Sequence, residues 1–199
     1  MQAMTANMQN GGAGRKSLWR IAPSAIAAVL LLLPLIAMQF THEVNWDETD
    51  FIVFGAMLVG ACGAYELATR MTGNTAYRAA VGVAVVAAFL LIWINLAVGI
   101  IGSEDNPANL MYGGVLAVGI IGAVIARFQQ HGMARTLVGM ALAQALVAVL
   151  ALIFRWGSDG ENWPQVIVVL NGFFAALWLG SAWLFRRAAR EQPHAGLAT

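Results

Sequence analysis

The chain has 199 residues, of which 60% are hydrophobic and only 11% are charged, whereas soluble domains carry about 25% charged residues. This composition excludes an ordinary soluble domain and indicates an integral membrane protein. The formal net charge of +1 is uninformative as a total, because the charges are segregated by side, and the single cysteine excludes an intramolecular disulfide. We expect no nucleic-acid-binding surface, because the basic residues are typical topology signals of a membrane protein.

Six apolar stretches without charge follow one another, and most reach the roughly 20 residues that a transmembrane helix needs. We predict an all-α polytopic membrane protein with six transmembrane helices in a compact bundle. The first stretch follows a basic segment like a signal peptide, but its apolar run is longer than a typical one of about 7–15 residues, which favours a retained helix. The predicted spans are residues 19–41, 50–69, 79–102, 108–127, 135–155 and 163–186, in a membrane domain of residues 18–187 between a disordered N-terminal tail (1–17) and a C-terminal tail (188–199).

The loops between the predicted spans alternate in charge. Ten of the 11 Lys and Arg residues fall on one side of the predicted topology, and only Arg155 falls on the other. Eight of the 10 acidic residues lie on the side of Arg155. Basic residues concentrate in cytoplasmic loops, so we predict a bacterial inner-membrane protein with both termini in the cytoplasm.

Glycine spacing suggests an internal repeat. Gly55, Gly60, Gly63 and Ala64 in the second span match Gly114, Gly119, Gly122 and Ala123 in the fourth, and the sixth follows in part with Gly172, Gly180 and Ser181. This pattern favours three helical hairpins in the same orientation, with chance coincidence as the competing explanation. Small residues four apart also let helices approach closely, either inside the bundle or at a homodimer or heteromeric seam.

Four polar residues within the spans are the candidate ligand-binding residues, because buried polar groups in a membrane cost energy without a partner. Asn95, Gln144 and Asn171 could share a polar pocket, or simply form hydrogen bonds between helices. Glu66 lies four residues before Arg70, which is typical of an interfacial ion pair, with a proton- or cation-binding carboxylate as the alternative.

Several chemistries are excluded by the residue inventory. The only lysine is Lys16, and the three histidines, His42, His131 and His194, lie outside the predicted spans, so neither a retinal Schiff base nor a bis-histidine haem is expected within the bundle. The acidic outer loops lack calcium-binding spacing, and nucleophile or phosphate-loop motifs are absent from the sequence. We therefore expect no enzymatic activity, no cofactor and no metal site.

The segments Trp46-Asp47, Trp93-Ile94-Asn95 and Gly102 to Pro107 resemble those of small six-span bacterial inner-membrane proteins, a resemblance that implies no activity. Size and span count are also similar to the substrate-binding subunits of energy-coupling-factor vitamin transporters, but no motif of that family is present.

Two functional hypotheses follow from these features. The first is binding or transport of a small solute or cation through an outward-opening polar site. The alternative is a non-catalytic accessory or scaffold subunit of a membrane complex, with the lipid bilayer as its surroundings.

Overall fold

The computed structural model describes residues 29–40, 46–160 and 162–191, and within these ranges the chain forms helices and turns without any strand. The all-α prediction is confirmed for this part of the chain. The helices are α1 (Val29–Phe40), α2 (Glu48–Met71), α3 (Thr75–Ala97), α4 (Met111–Ile125), α5 (Gln130–Ile153) and α6 (Gln165–Arg190), and a 3₁₀ turn, Pro107–Leu110, leads into α4.

Five of these helical segments are long and apolar enough to cross a membrane: α2, α3, α5, α6 and the continuous segment Pro107–Ile125. They indicate an integral, multi-pass membrane protein. Helix α1 is shorter, and the rest of the predicted first span, residues 19–28 and 41, lies outside the described residues. The sixth crossing therefore stays a prediction, as does the threefold repeat.

The chain divides into two compact units, Met1–Gly63 and Ala64–Thr199. In the first unit, Asp47 and Asp50 cap the start of α2 reciprocally. The Asp47 carboxylate accepts from the Asp50 amide at 2.9 Å, and the Asp50 carboxylate accepts from the Asp47 amide at 3.0 Å. These bonds satisfy two backbone donors that a helix start leaves without partners, so the acids have a structural role here.

In the second unit, α6 is the central helix. Both α5 and α3 pack against it, α4 packs against α5, and α3 meets α4 at only a few residues. At the α3–α6 contact, the Ser181 hydroxyl donates to the Ala80 carbonyl at 2.7 Å, and both residues are fully buried. Small side chains allow this close approach, which matters in a bilayer because lipid and side chains are equally apolar. The four helices are thus neighbours in the order α4, α5, α6 and α3. A cleft lies between α4 and α3, the two outer helices of this row.

Helices α4 and α5 are joined by a tight turn in which Arg127 and Phe128 have left-handed backbone angles (φ 49° and 58°). The Phe128 amide donates to the Ala123 carbonyl at 3.1 Å, closing the end of α4. The two helices approach at glycines: a Cβ atom added at Gly122 would lie 2.5 Å from Thr136 Cγ2. Close contact with α5 therefore explains part of the glycine pattern in this span.

Helix α3 ends at Ala97, five residues before the end of the predicted span, because a turn with left-handed Gly99 and Gly102 follows. The Asn109 side chain holds this turn. Its oxygen accepts from the Ile100 and Ile101 amides at 3.2 and 2.9 Å, and its nitrogen donates to the Ser103 carbonyl at 2.7 Å. The connection is thereby folded back against the start of α4.

Candidate functional site

A buried chain of polar side chains links α4, α5 and α6. The Gln144 amide nitrogen donates to Asn171 Oδ1 at 2.9 Å, and the Asn171 nitrogen donates to the Tyr112 hydroxyl oxygen at 3.0 Å. At the other end, the Trp178 indole nitrogen donates to Gln144 Oε1 over a longer 3.5 Å. The exposed fractions of Gln144 and Asn171 are 0% and 3%. The polar chain therefore joins three helices in the buried interior.

Both predicted amides in this chain are engaged within the protein. Besides its bond to Tyr112, the Asn171 nitrogen donates to the Ile167 carbonyl one turn earlier at 2.8 Å. A solute reaching Gln144 or Asn171 would have to replace bonds that are already made, and breaking them would leave buried groups without partners. The arrangement is suited to holding helices together.

The other two predicted site residues do not join this chain. Asn95 donates to the Leu91 carbonyl of its own helix at 2.7 Å, and its buried Oδ1 has no hydrogen-bond partner among the residues that the structure describes. Glu66 forms the expected ion pair with Arg70 at 3.1 Å, with 56% of the Glu66 side chain exposed. The structure thus brings Gln144 and Asn171 together and leaves Asn95 and Glu66 apart from them.

The cleft between α3 and α4 contains an apolar cavity of about 440 Å³. Its walls come from the end of α2, the first two thirds of α3, the second half of α4 and the start of α5, and its floor includes Trp178 and Phe185 of α6. The floor is buried, with Trp178 only 1% exposed, whereas Ile120 and Val124 at the rim are largely exposed. We call this space the apolar cavity.

The few polar atoms on residues of the apolar cavity already have partners. The Tyr77 hydroxyl donates to the Phe128 carbonyl at 3.0 Å, the Thr136 hydroxyl to the Gly132 carbonyl at 3.1 Å, and the Trp178 indole to Gln144. The cavity therefore offers an apolar surface to an occupant. Trp178 connects the two features, since its indole nitrogen faces the polar chain and its ring lines the cavity.

A second space of about 430 Å³ adjoins the apolar cavity at the end where α2 meets α3 and α4 meets α5. Met71, Tyr77 and Phe128 line both spaces. The remaining lining is polar and consists of Thr72, Gln129, Gln130 and His131. We call this second space the polar vestibule.

No group of three or more His, Cys, Asp or Glu side chains within the described ranges is placed to hold a metal ion. At the opposite end of the bundle, the Arg155 guanidinium lies 5.4 Å from the centre of the Trp163 ring. A cation–π contact of this kind accounts for a basic residue on the otherwise acidic side.

Tyr112 and Trp178 are not among the site residues predicted from the sequence. Trp178 follows Asn171 by seven residues, a spacing that places both on one face of a helix. The sequence of α6 could therefore have indicated that Trp178 lies near Asn171. Tyr112 belongs to another helix, and its proximity to Asn171 depends on how α4 and α6 are arranged around α5.

No protein-family model, no curated protein and no solved structure matches the chain.

Proposed function

We propose that this integral membrane protein binds a small apolar or amphiphilic molecule in the apolar cavity, in a non-enzymatic role. The observation that carries the proposal is a cavity of about 440 Å³ whose polar atoms are all engaged elsewhere. Ligand pockets range over about 300–1,000 Å³ and are mostly apolar, so both its size and its lining suit a bound molecule.

An unfilled cavity of this size would be unfavourable. Protein interiors are close-packed, and the atoms around a void lose their dispersion contacts on one side. In a bilayer, apolar chains are the most abundant molecules able to restore those contacts. The exposed rim at Ile120 and Val124 gives such a chain a path inward from the surface of the bundle.

The hypothesis of a polar solute at Asn95, Gln144 and Asn171 has less support. Gln144 and Asn171 are bonded to each other and almost fully buried, and Asn95 bonds within its own helix. Transport of a solute or cation through an outward-opening polar site therefore stays a prediction. The orientation of the protein also stays a prediction: an inner-membrane protein with its arginine-rich end facing the cytoplasm.

A second candidate function is that of an accessory subunit in a membrane complex, and the glycines of α6 support it. A Cβ atom added at Gly172 or Gly180 would meet nothing within 4 Å in the described residues. Such positions could accept a close helix from another copy or another protein. Cross-linking and mass determination in native membranes would reveal such a neighbour.

The cavity proposal can be tested with fluorescence. Bromine quenches indole emission at short range, so the probe is a dodecyl maltoside brominated in its alkyl chain, a neutral single-chain amphiphile. Trp178 is isolated as the difference in emission between the unsubstituted protein and Trp178→Phe. We expect strong quenching of this component, because Trp178 lies on the cavity floor.

The control variants are two alanine-to-phenylalanine changes. Ala88 lines the cavity, so Ala88→Phe should occupy part of it and weaken the quenching. Ala145 is exposed on α5 and does not line the cavity, so Ala145→Phe should leave the quenching unchanged. Equal quenching in Ala88→Phe and in the unsubstituted protein would overturn the proposal.

A further inference from the structure

The apolar cavity and the polar vestibule together have the shape of an amphiphile. The two spaces share Met71, Tyr77 and Phe128, so one molecule can extend from one into the other. Its alkyl part would contact the apolar walls, and its polar part would lie among hydroxyl, amide and imidazole groups. This inference rests on the proposed binding function and adds the chemistry of the headgroup.

The vestibule has free hydrogen-bonding groups. Gln129 and His131 are exposed, and neither side chain has a hydrogen-bond partner within the part of the chain that the structure describes. The Thr72 hydroxyl oxygen accepts from the Asn74 amide at 3.1 Å, which leaves its hydrogen free to donate. An acceptor-rich group such as a phosphate could use all three.

Three arginines are close in sequence to residues that line the vestibule. Arg78 and Arg127 adjoin the lining residues Tyr77 and Phe128 in sequence, and Arg135 lies one helical turn beyond His131 on α5. None of these three arginines forms an ion pair in the described ranges. The nearby acids are already engaged, since Glu66 pairs with Arg70 and Glu191 pairs with Arg187 at 2.9 Å.

We propose that the site binds an anionic phospholipid of the surrounding bilayer, with one acyl chain in the apolar cavity and the phosphate headgroup in the polar vestibule. Basic pockets between transmembrane helices are suited to acidic headgroups, and each basic residue contributes about 1 kcal/mol. A free inorganic anion would leave the apolar cavity unfilled, and a zwitterionic lipid, with no net charge, would leave the positive charge of the three arginines unbalanced.

The experiment compares two lipids with identical dibrominated acyl chains, phosphatidylglycerol and phosphatidylcholine, each added to vesicles at the same mole fraction. Quenching of the Trp178 component is measured as described above. We expect phosphatidylglycerol to quench at lower mole fraction. Replacing Arg78, Arg127 and Arg135 by glutamine should reduce this preference by about fivefold per arginine, the equivalent of about 1 kcal/mol each.

The matched control is Arg155→Gln, which removes an arginine at the opposite end of the bundle and should leave the preference unchanged. High salt should weaken the preference as well, because it screens exposed charges. If the triple variant is poorly folded, a second measurement replaces it. Native mass spectrometry then counts the phospholipid that the purified, unsubstituted protein retains.

The outcomes separate the two proposals. Equal quenching by both lipids, or a preference that survives the arginine substitutions, would overturn the headgroup assignment while cavity binding stands. Absence of Trp178 quenching by either lipid and by brominated maltoside would overturn both.

Discussion

Gln144 on α5 and Asn171 on α6 form a 2.9 Å side-chain hydrogen bond in the interior of the bundle, with almost no exposed surface on either residue. Each has a further partner, Trp178 for Gln144 and Tyr112 for Asn171. The pair is therefore the centre of a polar chain that sets how α4, α5 and α6 face one another. Polar contacts of this kind specify helix neighbours where apolar packing alone discriminates poorly.

Breaking this pair should destabilise the bundle. We expect Gln144→Leu or Asn171→Leu to lower the free energy of unfolding by about 1–2 kcal/mol, because each leaves a buried amide without its partner. The double variant should lose less than the sum, which a double-mutant cycle in detergent micelles would measure. Asn95→Leu is the control, since it removes only a bond to the Leu91 carbonyl of its own helix; additive losses at 144 and 171 would contradict the pairing.

The contact of α3 with α6 depends on a small side chain at position 80 of α3. Ala80 is fully buried against Ser181, whereas its neighbour Ala79 is exposed. Ala80→Leu should cost about 1–3 kcal/mol by overpacking the interface. Ala79→Leu, the same change one residue away, should be close to neutral. Thermal unfolding of the two variants would test this, and equal stabilities would disprove the close approach.

A glycine on α4 is required by the proximity of α5. In Gly122→Ala the new Cβ would lie 2.5 Å from Thr136 Cγ2, and threonine has a stiff side chain that cannot easily move aside. We expect a loss of about 1–3 kcal/mol. At Gly114 a Cβ meets nothing within 4 Å in the described residues, so Gly114→Ala should be neutral or gain up to about 1 kcal/mol in helix propensity. The reverse order of stability would contradict the described packing.

The turn after α3 should depend on Asn109. Asn109→Ala removes the acceptor for the Ile100 and Ile101 amides, so their hydrogen exchange should accelerate and the unfolding free energy should fall by about 1–3 kcal/mol. Asn106→Ala removes a single capping bond to the Ala108 amide and should cost about 1 kcal/mol. Unchanged exchange at Ile100 and Ile101 in Asn109→Ala would show that other contacts hold the turn.

Glu66 should contribute little to stability or binding. Its ion pair with Arg70 is exposed, and exposed pairs of this type contribute about 0.3–0.5 kcal/mol. Glu66→Gln should therefore unfold at nearly the same temperature and leave quenching of Trp178 by brominated maltoside unchanged. A large change in either measurement would revive the hypothesis of a functional carboxylate at this position.

Hydropathy predicted the helices because it reports burial in lipid residue by residue. It placed the end of the third span at residue 102, five residues beyond the end of α3, for a physical reason. Ile100 and Ile101 are apolar and buried although they belong to a turn, so composition alone does not distinguish them from a continuing helix. The left-handed glycines that end the helix carry no hydropathy signal of their own.

The candidate site was predictable only in part. Uncharged polar residues in apolar spans stand out, so Gln144 and Asn171 could be predicted from the sequence alone. The apolar cavity could not be, because Ala84, Ala88 and Leu116 are ordinary membrane-span residues. The cavity exists because α3 and α4 contact each other at only a few residues. This is a property of how the helices are arranged, and the residue types do not indicate it.

The position of α6 between α5 and α3 also bears on the order in which the chain is assembled. During synthesis, α3 enters the membrane well before the residues that it packs against, since the Ser181 hydroxyl that binds the Ala80 carbonyl lies 101 residues later in the chain. The pairs α4–α5 and α5–α6 can form as each new helix emerges. Helix α3 must wait for the last of them, so a ribosome stalled before α6 would leave it without its main neighbour and exposed to membrane quality-control proteases.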